Sequence, residues 1–385
     1  MITLFNSKKI LSRSRQPWVD YARGICIILV VYRHVFEGLD NVGVGSHNYP
    51  LLKYLNIFFF SFRMPLFFIV SGIFLGGSLL RKGIGEYVTG RFHTVFYPLL
   101  VWGSIQVTLQ LFFADYVNAD RTYMDYLNLV IDPRKIEQFW YLNSLFFVSV
   151  IYALIKVYLK YRPIDQLILG IFFFGVASYT HANHINIGFL EDVMFFYMFF
   201  AMGDLISNFF LDEKNMKIMS SPKTLLFVLP AFVIIQHYFT LLNLEHKDDY
   251  YVQYQQPAIY AIAALVGGAF IINISFLLQK LNALRFLRVI GYHSLYIYAI
   301  HLIVTAATRV VLVRVLHMEN IPLMMLISII TGVIIPVIFY NLAEGLGASW
   351  LFSIKKKSKP QKERARLFFE KGIMMPKEGV TIKGN

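Results

Sequence analysis

WVDYARGICIILVVYRHVFE, residues 18–37, decides how this chain is read. The run is twenty residues long, enough for one helix to cross a bilayer core of about 30 Å at about 1.5 Å per residue. It nevertheless carries Asp20, Arg23, Arg33 and His34. A charged side chain at membrane depth costs about 2.5–3.5 kcal/mol on insertion scales, so such residues face a protein interior and mark functional sites. Arg23 and His34 stand eleven positions apart. At about 100° per residue that is three turns with a mismatch of about 20°, so both side chains share a face, about 16 Å apart along the axis. One helix thus presents a cation towards one end and an imidazole towards the other.

The composition around this helix is that of a membrane protein. Apolar residues make up 57% of the 385 and charged residues 15%, where soluble domains hold about half and a quarter. An all-α polytopic membrane protein is the fold class expected. Cys26 is the single cysteine, which excludes an intrachain disulfide. The stretch ahead of the first span is basic (Lys8, Lys9, Arg13, Arg15) and has no apolar core, so it does not read as a cleaved signal peptide. A net charge of +13 would suit nucleic acid. No basic stripe alternates with aromatics in a soluble segment, however, and topology accounts for the charge.

About ten spans have the length a bilayer demands: near 18–37, 54–79, 92–113, 139–159, 164–180, 189–210, 223–243, 256–278, 290–313 and 322–343. Short polar loops separate them, with turn residues at Pro50, Pro133, Pro163 and Pro222. If the N-terminus is cytoplasmic, 26 of the 36 Lys and Arg fall on the inside and six on the outside. The other four, Arg23, Arg33, Arg63 and Arg309, lie within spans. This bias places both termini in the cytoplasm. The expected organisation is a cytoplasmic segment 1–17, a ten-helix membrane domain 18–345 and a basic cytoplasmic tail 346–385, in the inner (plasma) membrane as a multi-pass protein. That tail would be drawn to anionic headgroups of the lipid bilayer.

Two further spans carry polar residues. In the second, NIFFFSFRMPLFFIVSGIFL places Arg63 at a depth it can share with His34, next to Pro65, which can kink the helix where it lines a cavity. In the ninth, His301 has Tyr298 and Ser294 at i−3 and i−7, on roughly one face.

These stretches carry a resemblance. D-Y-A-R-G-I-x-I-x-x-V-V-x-x-H (20–34), F-R-M-P-L-F-F-x-x-S-G (62–72) and G-Y-H-S-L-Y-I-Y-x-x-H (291–301) occur in that order. Together they are similar to the acyltransferase-3 family of bacterial membrane O-acyltransferases, whose hallmark is the Arg-x10-His spacing. Weaker matches are FWYL (139–142) and FFYMFFAMGDLI. The resemblance covers about residues 16–345. It implies transfer of an acyl group, most often acetyl from acetyl-CoA, to a hydroxyl of an envelope carbohydrate. The donor is then a co-substrate, and no tightly bound cofactor is expected. The family often has an Arg-x-x-Arg pair before the third span. Here Arg91 is followed by Thr94 in RFHTVFYP, which leaves His93, Arg81 or Lys82 to supply the second charge.

The residue types suit that reaction. A sugar hydroxyl is a poor nucleophile and needs a general base, for which His34 has the matched titration range. A thioester carbonyl gains negative charge as it is attacked, and Arg63 is the cation expected to stabilise it. Arg23, oriented by Asp20, and Arg91 are expected to hold the acyl-CoA donor, while His301 is expected to orient His34 or, with Tyr298 and Ser294, to bind the acceptor. Each has a structural alternative. Arg23 with Asp20 would serve as an interfacial ion pair, His34 as a solvated histidine, Arg63 as a carbonyl-bonded cation, His301 as a core histidine and Arg91 as a topological charge. Arg33, about 100° round the helix from His34, is expected to snorkel to headgroups or to pair with Glu37. His181, His184 and Asp192 match no ligand motif, and no metal is expected. A transporter or flippase for a glycan or lipid-linked glycan, binding it through the buried Arg and His, is the competing function. It would be marked by inverted repeats and paired broken helices, neither of which is evident. A non-catalytic lipid binder is a third. The acceptor sugar, the acyl group and any homo-oligomer are not specified by the sequence.

Overall fold

The computed structural model describes residues 4–12, 16–45, 48–114 and 120–354; Arg13, Arg15, Asp115 and the basic tail from Lys355 onwards lie outside them. All described secondary structure is helical. Among the described residues ten long helices follow one another: α1 (Pro17–Asp40), α2 (Pro50–Ile73), α3 (Leu75–Phe112), α4 (Pro133–Leu159), α5 (Pro163–Ala182), α6 (Phe189–Leu205), α7 (Pro222–Glu245), α8 (Pro257–Leu281), α9 (Ser294–Val315) and α10 (Ile321–Gly345). Eight of them, all but α1 and α6, are long and apolar enough to cross a membrane. In α1 the charges spoil that pattern. The 17 residues of α6 are at the lower limit for a span. Prolines open six of the ten, at positions where a helix has no use for the missing N–H.

The first helix is the hub. Against α1 pack α2, α8, α9, α10 and the short helix Phe286–Tyr292. Its buried residues run round the whole circumference, from Trp18, Ala22 and Cys26 to Val30, Val31 and Arg33. Surrounded in this way, α1 keeps its polar side chains away from lipid, which is why a charged run can span at all. Two pairs of glycines set how closely the helices approach. A Cβ on Gly24 would lie 2.2 Å from the Leu287 carbonyl oxygen, and one on Gly291 would lie 1.7 Å from that of Asp20. Likewise, a Cβ on Gly72 would meet the Phe200 carbonyl at 2.1 Å, and one on Gly203 that of Ile69 at 2.0 Å. The glycines of the sequence motifs are therefore backbone-to-backbone contacts of the small-residue kind common between membrane helices.

Three places differ from the expected pattern. The break in α2 falls at Phe59, between Pro50–Phe58 and Phe60–Ile73, and not at Pro65. Helix α3 begins well ahead of the span expected at residue 92, and Gly83, with φ 69°, interrupts its first part. The residues expected as a loop ahead of the fourth span fold back onto the bundle as a short helix, Asp125–Ile131, and as the 3-10 turn that opens α4, Pro133–Phe139. Leu129, Ile136, Gln138 and Phe139 are fully or almost fully buried there. Asn143 on α4 holds it by donating to the carbonyls of Leu129 and Val130 at 3.2 and 3.1 Å.

Candidate active site

His34 stands between two cavities, and its side chain lines both. The larger, about 710 Å³, lies among α1, α3, α9, α10 and the folded-back segment, at the end of the bundle that carries Asn41 and Phe113. Its polar lining includes Glu37, Gln106, Gln110, Glu137 and Arg309. The smaller, about 80 Å³, lies on the α2 side of His34 and is lined by Arg33, Arg63 and Arg134 together with aromatic residues.

Local hydrogen bonding fixes this arrangement. Arg63 is 2% exposed, and its Nη1 donates to the Leu29 carbonyl of α1 at 2.8 Å. Arg63 thus bonds a helix carbonyl and also shares a cavity wall with His34. The His34 ring centroid is 5.2 Å from that of His301. His301 is fully buried, with Nδ1 2.9 and 3.0 Å from the carbonyls of Tyr298 and Ile297. Carbonyls only accept, so Nδ1 carries a proton and donates it, while the buried Nε2 has no partner. The Tyr298 hydroxyl donates to the Gln138 carbonyl and so ties α9 to the folded-back segment. Glu37 Oε2 lies 3.6 Å from His34 Nδ1. That is too long for a hydrogen bond but close enough to stabilise an imidazolium.

Arg33 bears out one of the two alternatives expected for it and not the other. It pairs with Glu37, Nη2 to Oε1 at 2.6 Å, but it does not snorkel to headgroups. Instead it is buried, donates to the Tyr250 hydroxyl at 2.6 Å and lies over the rings of Phe60 and Tyr250 at 4.5 and 4.9 Å. The contacts with Phe60 and Tyr250 hold its guanidinium inside the bundle, against α2 and the segment after α7.

The other predicted residues fall into two groups. Arg23 lies about three turns from His34 and Asp20 about four, and Arg91 ends the first part of α3. Both arginines exert a field on the buried phenol of Tyr141, which places them around one region of the bundle. Arg91 Nε donates to the Tyr87 hydroxyl at 3.1 Å, with the guanidinium 5.3 Å from that ring. Thr94, which stands where a second arginine was expected, turns its hydroxyl back to the Gly90 carbonyl at 2.8 Å. Beside it, His93 has a buried Nδ1 with no partner. Ser294, buried at the start of α9, lines neither cavity. Two residues of the group His181, His184 and Asp192 are engaged in pairs: Asp192, on α6, is held by Arg134 at 2.5 Å, and His181, on α5, lies 2.9 Å from Glu191.

Glu137, Gln106, Gln110 and Arg309 were not predicted. Glu137 has φ 52°, in the left-handed region. Its carboxylate accepts from Gln106 and Gln110 at 3.0 and 3.2 Å and from Arg121 at 3.1 Å. Arg309 Nη1 donates to the Gly38 carbonyl at 2.8 Å. One signal for them was present: Gln106 and Gln110, at i and i+4 in an apolar span, share a helix face.

A family model described as an acyltransferase domain matches residues 16–341. Among curated proteins, the chain is similar to the nodulation protein NolL of Mesorhizobium japonicum, 31% identical over 99 residues, 26% of each chain. It is also similar to the nodulation protein NolL of Sinorhizobium fredii, 23% identical over 205 residues, 53% of this chain and 52% of the relative. These matches span about a quarter and about half of those relatives' lengths. No solved structure matches. The family match takes in the whole bundle assembled around α1, including Arg23, His34, Arg63 and His301, and on that extent the chain belongs to the acyltransferase-3 family of acyltransferases.

Proposed function

We propose that the protein is a membrane-embedded O-acyltransferase that moves an acyl group, acetyl from acetyl-CoA foremost, to a hydroxyl of a cell-envelope or exported carbohydrate. The observation that carries this reading is the position of His34, at the boundary between a large cavity rimmed by carboxylates and amides and a small one rimmed by arginines. Planar polar groups such as those of Glu137, Gln106, Gln110 and Arg309 are suited to a polyhydroxyl compound. His34 is on hand to take a hydroxyl proton, and general-base help of this kind is worth about 10²–10⁴-fold. Arg63 offers the cation for the carbonyl oxygen as charge develops, worth about 10²–10³-fold in comparable sites. Donor binding falls to Asp20, Arg23 and Arg91 at the cytoplasmic end.

In the transfer step the acceptor oxygen attacks the thioester carbon, a C–O bond forms and the C–S bond breaks. The hydroxyl proton passes to His34 and then to the departing thiolate, which leaves as free CoA. Nothing in this sequence requires a metal or a resident cofactor.

Vesicle sidedness tests the proposal. Radiolabelled acetyl-CoA is supplied to sealed vesicles from expressing cells, either inside-out or right-side-out. Label should enter the glycan fraction only in inside-out vesicles, where the cytoplasmic face meets the donor. Labelling confined to right-side-out vesicles would invert the assignment of the two ends. A glycan that moves across the membrane without consuming acetyl-CoA would favour the flippase.

A further inference from the structure

We infer that the small cavity behind His34 is the pocket for the donor's acyl group, with Arg33 and Arg63 facing its carbonyl oxygen. The inference rests on the acyltransferase reading and refines it: it names the donors as short-chain acyl thioesters.

Size and lining both point this way. The cavity holds about 80 Å³ against about 710 Å³ on the other side of His34. A sugar residue suits the larger space and a short acyl chain the smaller. Val30, Phe60, Met64, Trp140 and Phe196 supply apolar wall for a methyl or short alkyl end. Val30 and His34 are four residues apart on α1, and so on one face of it.

Two buried polar atoms without partners belong to residues that line this cavity. They are Arg33 Nη1, on a side chain 6% exposed, and Gln253 Oε1, on one 2% exposed. The other arm of Arg33 is already used, since Nη2 bonds both Glu37 and Tyr250. Arg63 has likewise committed Nη1 to Leu29. A buried donor left open is costly unless something arrives to accept from it. The carbonyl oxygen of an acyl thioester is such an acceptor, and its charge grows during attack from the His34 side. Arg33 would then be a second cation on the reacting oxygen, beside Arg63. Glu37, paired with Arg33 and near His34, keeps two neighbouring guanidinium groups tolerable in so small a space.

The test is a chain-length profile. Membranes carrying the full-length protein and its native glycan receive radiolabelled acetyl-, butyryl- or octanoyl-CoA, and label in the glycan fraction is measured. Wild type should prefer acetyl to octanoyl by on the order of tenfold or more, the scale of discrimination in a snug apolar pocket. Met64→Ala, which enlarges the pocket, should raise the octanoyl-to-acetyl ratio by about tenfold. Val30→Phe, which fills it, should lower the butyryl-to-acetyl ratio by a similar factor. Transfer with both ratios unchanged in both variants would overturn the pocket assignment and leave the acyltransferase reading standing. No transfer from any donor, in wild type or variants, would overturn both.

Discussion

Gly291→Ala is the smallest change that strikes at the centre of this fold. An added Cβ would lie 1.7 Å from the Asp20 carbonyl oxygen, 2.6 Å from its carbon and 2.9 Å from the Gly24 nitrogen. All three are backbone atoms of α1, so no side chain can swing aside. Restoring an ordinary contact of at least 3.4 Å requires the segment Phe286–Tyr292 to move off α1 by more than an ångström. Overpacking of this kind costs about 1–3 kcal/mol, out of a total stability of about 5–15 kcal/mol for a typical domain. Gly175→Ala is the matched control, because a Cβ there meets nothing within 4 Å. Away from such contacts a surface change stays within about 0.5 kcal/mol. Reversible unfolding of the two variants in mixed micelles, by titration with a denaturing detergent, gives the comparison. Gly291→Ala should lose about 1–3 kcal/mol and Gly175→Ala close to none. The apparent KM for acetyl-CoA should also rise in Gly291→Ala, because the displaced segment packs on the turn of α1 that carries Asp20 and Arg23. Equal stability of the two variants would refute the close approach of α1 and the segment Phe286–Tyr292.

Other expectations test separate parts of the account. Lys156→Met strands Asp204, whose side chain is 3% exposed and lies 2.5 Å from the lysine; removing one partner of a buried pair costs about 3–5 kcal/mol. Lys156→Met with Asp204→Asn should recover much of that loss in the same unfolding assay, since Tyr152 keeps an acceptor in place of Asp204 Oδ2. Glu137→Gln replaces a carboxylate that collects hydrogen bonds from Gln106, Gln110 and Arg121. It should weaken acceptor binding by about tenfold, the equivalent of one charged hydrogen bond. The KM for the acyl donor should stay put, so a change confined to the donor KM would contradict the assignment of the large cavity. Reporter fusions should place residue 125 outside and residue 285 inside, as the distribution of positive charge requires.

The sequence pattern made the membrane fold, the leading role of α1 and the convergence of His34, Arg63 and His301 legible. Each lies in an apolar stretch where a polar residue stands out, and helical periodicity then supplies a face. For Arg33 the same logic gives the pairing with Glu37 but not the burial. Its angular offset from His34 suggested an outward direction, but α1 is enclosed, so a second face of the helix also points inwards. Glu137 and Arg134 were hidden for a different reason. They sit in a polar stretch ahead of the expected fourth span, and a local pattern cannot reveal that Pro133–Phe139, the opening turn of α4, folds back over a cavity between distant helices. Ser294 shows the limit of periodicity itself. It shares a face with His301, but seven residues of rise, about 10 Å, carry it past the end of either cavity.

The most direct measurement is acyl transfer from labelled acetyl-CoA in isolated membranes, comparing wild type with His34→Ala and Arg23→Ala at matched expression. Label should reach a glycan fraction with wild type, and His34→Ala should lose about 10²–10⁴-fold of the rate, the contribution of a general base. Arg23→Ala should lose transfer chiefly through weaker donor binding, so that more acetyl-CoA restores part of it. Equal transfer by wild type and His34→Ala would contradict the account, for α1 would then be scaffold and the chemistry would lie elsewhere.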